Sequence, residues 1–160
     1  MRKFMKAKTH ESSEMFARAL EMLNRNNVAD AIKSLEAALQ ILPDNAEYLS
    51  HYGLCVALER DNFKAGRRLC ERAIRMEPRE VVHQVNLGRV YRLQGDRKAA
   101  HEAFIGAWQL NTSHPAPATQ LLRMGVRRPP MLPFLDRSHW LNVRLGRLRV
   151  GLHRASRSIG

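Results

Sequence analysis

Side chains with reactive chemistry are few in this chain, and they are scattered. His51 and Cys55 stand four residues apart, which puts both on one face of a helix and could begin a metal site. No second pair follows at ligand spacing, and the seven histidines are dispersed. Cys55 and Cys70 therefore read as small core residues between paired helices. Two cysteines are too few for a disulfide framework and fit a reduced, cytoplasmic setting. There is no glycine-rich phosphate loop, no Ser or Cys nucleophile with a placed base, and no paired carboxylates. The expectation is a protein that is not an enzyme and carries no cofactor and no metal. What remains is cationic chemistry, which is the chemistry of binding.

The positive charge is uneven. Residues 1–80 hold 14 Lys and Arg against 12 Asp and Glu, whereas residues 81–160 hold 13 against 3. A solvated cationic face is the plain explanation of the basic half. Nucleic acid is disfavoured because the stacking residues Tyr91, Trp108, Phe134 and Trp140 are scattered rather than interleaved with arginines. No stretch reaches the roughly 20 apolar residues needed to cross a bilayer. The basic start, "MRKFMKAKTH", leads into no apolar run, so no secretory signal is expected.

The elements that must position any binding face come from a period in the chain. Ala31, Gly66 and Ala100 recur at steps of 35 and 34 residues, as do Leu35, Cys70 and Phe104, and Ala38, Ala73 and Ala107. A second set, Ala19, Gly53 and Gly88, steps by 34 and then 35. Pro43 and Pro78 share the first step, and Thr112 stands where a third proline would fall. Each unit holds two helical periods around a polar turn, "NRNN", "ERDN" or "QGD". Small residues let the two helices approach, bulky ones fill the space between, and proline stops the second helix. One such pair cannot bury its own apolar face, so the pairs must stack. The expected fold class is all-α, a right-handed α-solenoid.

The segment "NLGRVYRLQGDRKAAHEAFIGAWQL" carries Leu87, Gly88, Tyr91, Gly95, Ala100, Phe104 and Ala107 at the signature places of the tetratricopeptide repeat (TPR) family, which the chain resembles. Three repeats in phase, 12–45, 46–80 and 81–114, follow a basic lead-in at 1–11. The resemblance implies a scaffold or adaptor that binds a peptide or helix in a concave groove lined by the first helix of each repeat. Carried onto this chain, that groove takes Phe16, Leu20 and Leu23 from repeat one, and His51, Leu54 and Leu58 from repeat two. Repeat three adds Val85, Asn86, Arg89 and Arg92. The implied groove is apolar at one end and basic at the other, suited to a protein or peptide ligand with an acidic flank. The alternative use of Phe16, Leu20 and Leu54 is packing between repeats. The clamp by which some TPR proteins hold a chaperone's C-terminal carboxylate is not expected. Phe16 and Leu20 stand where Lys and Asn would be needed, leaving only Asn86 and Arg89 nearby as donors.

Beyond the repeats, "HPAPATQLLRMG" reads as a capping helix within 115–125, with Ser113 as its cap, a proline in its first turn and Gly125 at its end. Leu121 and Leu122 are expected to face inward, covering the end of the solenoid near Trp108 and Leu110. Residues 126–137, "VRRPPMLPFLDR", read as a proline-stiffened arm whose Met131, Leu132, Phe134 and Leu135 should be buried. Arg127, Pro130 and Pro133 also fit an SH3-ligand pattern, one short enough to arise by chance. Residues 138–160 read as a basic helix with a frayed end, its stripe of Leu141, Leu145, Leu148 and Leu152 suited to docking on another helix. The arm and helix resemble an extension of uncharacterised bacterial TPR proteins. The second functional reading is a solenoid tethered by this tail to nucleic acid or an anionic membrane, although Gly146 and Gly151 interrupt the apolar stripe that a membrane would need. The oligomeric state, including a homo-oligomer, stays open.

Overall fold

A computed structural model describes residues 2–125, and side chains from residue 7 onward. The proline arm, the basic helix and their apolar stripe lie outside the described residues. Seven helices follow one another: α1 (Arg2–Asn24), α2 (Val28–Ile41), α3 (Ala46–Arg60), α4 (Phe63–Met76), α5 (Val81–Gln94), α6 (Arg97–Leu110) and α7 (Pro115–Arg123). The described residues contain no strand. They form an all-α solenoid in which α1/α2, α3/α4 and α5/α6 pair, each pair stacks on the next, and α7 packs on α6 and α5. No helix among them is long and apolar enough to cross a membrane.

The repeated residues make repeated geometry. Ala19, Ala31, Leu35, Ala38, Cys70, Ala73, Ala100, Phe104 and Ala107 are all fully buried. Asn27, Asn62 and Asp96 each cap the second helix of a pair, accepting from the backbone N–H three residues on at 3.2, 3.1 and 2.9 Å. The residue before each of these caps turns left-handed: Asn26 at φ 58°, Asp61 at 49° and Gly95 at 87°. Asn and Asp tolerate that region through local hydrogen bonding, and glycine without penalty. The second helices close alike, with Leu42, Glu77 and Asn111 donating their N–H groups back to Ala38, Ala73 and Ala107. Pro43 and Pro78 follow the first two closures, where no helical N–H is required.

Two features depart from the sequence expectation. Helix α1 continues through the basic lead-in to Arg2, so it has 23 residues where the other first helices have 15 and 14. Helix α7 is capped by His114 rather than Ser113: the His114 ring accepts from Ala116 N–H at 3.3 Å, with Pro115 in the first turn. Its inward face carries Pro117, Gln120 and Met124, not the leucine pair. Leu122 is 59% exposed and Leu121 half-buried, while Trp108 and Leu110 stay 39% and 41% exposed with α7 in place. Over nine residues the apolar pattern of this segment cannot fix which side faces in. The register of the preceding repeats does.

Candidate binding face

The expected groove residues stand on the first helices α1, α3 and α5, and α5 packs against both α3 and α7. At the α1/α3 end the face is aromatic. The Phe16 ring lies 4.7 Å from Tyr48 at an interplanar angle of 30°, and 5.2 Å from His51, edge-on at 85°. Such offset and T-shaped pairs exploit the ring quadrupoles. Ser12 Oγ, fully buried, lies 3.4 Å from the Tyr48 hydroxyl and donates to the Thr9 carbonyl at 3.0 Å. Leu20 and Leu23 pack beside Phe16 and keep part of their surface open, as Leu58 does on α3.

Three expected groove residues are core instead. Leu54 is fully buried with Ala57, Cys70, Leu87 and Val90, so it has no surface to offer a ligand. Val85 is 6% exposed. Asn86 is 3% exposed and donates its side-chain amide to Ser50 Oγ at 2.9 Å, tying α5 to α3. Phe16 itself is 8% exposed and presents little beyond a ring edge. Leu54 and Val85 are thus apolar core, and the Asn86 amide is already bonded to Ser50.

Electrostatically the middle of the face is held neutral and the far end positive. His51 donates from Nδ1 to the Glu47 carbonyl, 3.2 Å away. Burial, then the charges of Arg89 and His83, push its pKa down to about 4, so the ring is neutral at pH 7. Cys55 and Cys70 are core thiols pushed up to about 12 by burial, the opposite of what a thiolate metal ligand needs. Among the described residues no group of three His, Cys, Asp or Glu could hold a metal. Arg89 is half-buried, and burial followed by the positive charge of Arg92 lowers its pKa from the ordinary value, with Arg123 of α7 acting in the same sense. Neither Arg89 nor Arg92 makes an ion pair or hydrogen bond among the described residues.

Gln120 and Arg123 on α7 are not among the residues the repeat resemblance assigns to the groove. The signal was there: Gln120 stands 34 residues after Asn86, and Arg123 stands 34 after Arg89. Helix α7 thus continues the repeat register of the first helices. Arg97 donates from Nη2 to the Met124 carbonyl at 2.9 Å, fixing the end of α7 against the start of α6.

No family model matches this sequence, and no curated protein matches it. Solved structures do. It is similar to the O-GlcNAc transferase of Thermobaculum terrenum, at 24% identity and a TM-score of 0.65 over 73% of this chain. The match spans 22% of that enzyme's length. It is similar to the TPR domain of Arabidopsis OM64, at 17% identity and a TM-score of 0.61, covering 74% of this chain and 97% of that domain. The first TPR of Spaghetti (RPAP3), solved bound to an HSP90 peptide, matches at 9% identity and a TM-score of 0.59, covering 72% of this chain and 91% of that one. The described residues have the fold of a TPR domain.

Proposed function

We propose that this protein is a non-enzymatic interaction module that binds a peptide or helix of another protein along its first-helix face. The observation that carries the reading is the makeup of that face. Leu20, Leu23 and Leu58 keep apolar surface open on α1 and α3, and Arg89 and Arg92 stand without counter-charge on α5. Partly open apolar side chains on two helices and unpaired cations on a third favour a segment with an apolar part and an acidic flank. Likeness in fold to a TPR domain solved with a bound peptide supports the same reading. Within it the working groove is Leu20, Leu23, His51, Leu58, Arg89 and Arg92, with Phe16 as a ring edge and Leu54, Val85 and Asn86 as its supporting core.

Peptide arrays probed with the intact protein test this. Wild type is expected to select apolar segments with flanking Asp or Glu, and Arg89→Glu with Arg92→Glu to lose that selection. Neither arginine has an ion pair or hydrogen bond to lose among the described residues, so the double variant should keep its helical circular dichroism. Undiminished selection by a folded double variant would contradict the proposal.

A further inference from the structure

We infer that α7 is part of the binding face rather than only a cap, and that Gln120 and Arg123 complete with Arg89 a subsite for an acidic residue of a peptide ligand. The inference rests on the groove reading and adds a helix, two residues and a division of roles to it. Three observations carry it.

The first is register. Arg123 repeats Arg89 at the 34-residue step on a neighbouring helix packed against α5, and Arg92 stands one turn beyond Arg89 on α5. The second is missing counter-charge. Neither α5 nor α7 contains an Asp or Glu, and none of the three arginines has an ion pair or hydrogen bond among the described residues. Other arginines also lack a carboxylate partner among the described residues, but Arg89 is half-buried and feels the like charges of both Arg92 and Arg123. The third is an orphan acceptor. Gln120 is 7% exposed, and its Oε1 is buried with no hydrogen-bond partner. A buried carbonyl oxygen without a donor is costly, and native structures seldom leave one so.

These needs are complementary. Clustered arginines attract an anion, and guanidinium groups grip a carboxylate through two parallel N–H bonds. The Gln120 oxygen requires a donor, which an anion cannot supply and a peptide backbone N–H can. An extended acidic peptide offers both, its side-chain carboxylate to Arg89 and Arg123 and a main-chain amide to Gln120. A bare anion would satisfy only the first.

Labelled nonapeptide pools with randomised flanks and a fixed central Glu or Gln separate the roles by fluorescence anisotropy. Wild type is expected to bind the Glu pool about tenfold tighter than the Gln pool, the worth of one charge-assisted hydrogen bond. Arg123→Gln should erase that preference while still binding the Gln pool. Gln120→Met should weaken both pools equally and keep the preference, without lowering the melting temperature, because the free protein loses no bond to that oxygen and sheds a buried unpaired acceptor. Equal wild-type affinity for the two pools, or a preference that survives Arg123→Gln, overturns the subsite and leaves the groove standing. Absence of binding to either pool overturns the groove reading, and the subsite with it.

Discussion

Gly53 of α3 and Gly66 of α4 meet backbone to backbone. A Cβ on Gly53 would sit 2.7 Å from the Gly66 carbonyl oxygen, and one on Gly66 would sit 2.5 Å from the Gly53 oxygen. Neither neighbour is a flexible side chain, so the only relief is to move the helices apart. Gly→Ala inside a helix normally gains about 0.5–1 kcal/mol in propensity. Here overpacking, typically about 1–3 kcal/mol, should win for either Gly53→Ala or Gly66→Ala. Because both substitutions force the same separation, the double variant should cost less than the sum. Urea denaturation of the three variants checks this, and additive losses would speak against a shared contact.

The α5/α6 pair solves the same problem with a ring. A Cβ on Gly88 would lie 2.5 Å from Phe104 Cε1, and Phe104 is fully buried with no space to turn. Gly88→Ala is expected to cost about 1–3 kcal/mol, and Gly88→Leu more. Combining Gly88→Ala with Phe104→Leu should recover part of the loss, since the smaller side chain leaves room for the methyl. Thermal melts of the two singles and the double measure that coupling.

Ser50 joins three helices. Its hydroxyl accepts from Asn86 Nδ2 at 2.9 Å, and its carbonyl accepts from Cys70 Sγ at 3.5 Å. Ser50→Ala strands a buried amide donor, a loss of about 1–3 kcal/mol. Ser50→Ala with Asn86→Leu removes both polar groups and should be the more stable of the two variants.

Acid should weaken the fold through His51. Its folded pKa, about 4, lies below the ordinary 6.5 of an unfolded chain. The unfolded state therefore takes up the proton first. This contribution to stability is fully present above about pH 6.5 and is lost as pH falls toward 4. His51→Gln should show a smaller drop in urea midpoint between pH 7 and pH 5 than wild type. Equal drops would place the titration elsewhere.

The architecture was legible because burial repeats: every 34 or 35 residues the same small or bulky type returns, and each of those residues is in the core. The candidate face was legible only in part. Spacing alone puts Leu54 in line with Leu20 and Arg89, but whether a side chain points to solvent or into the seam depends on how closely neighbouring helices stack. Leu54 went inside because Gly53 and Gly66 draw α3 and α4 together and Cys70, Leu87 and Val90 close over it. The two α7 residues were hidden for another reason. Hydrophobicity pointed to Leu121 and Leu122, while the chain buries Gln120 and leaves Leu122 in solvent.

The central claim, that the first-helix face is where this protein meets its ligand, is tested most directly by mapping backbone amide shifts in nuclear magnetic resonance. A nonapeptide chosen from the acidic pools would be titrated into isotopically labelled protein. The account predicts shifts concentrated on α1, α3, α5 and α7, including Leu20, His51, Arg89 and Arg123, with α2, α4 and α6 largely still. Shifts confined to the second helices, with Arg89 and Arg123 unmoved at saturating peptide, would contradict it.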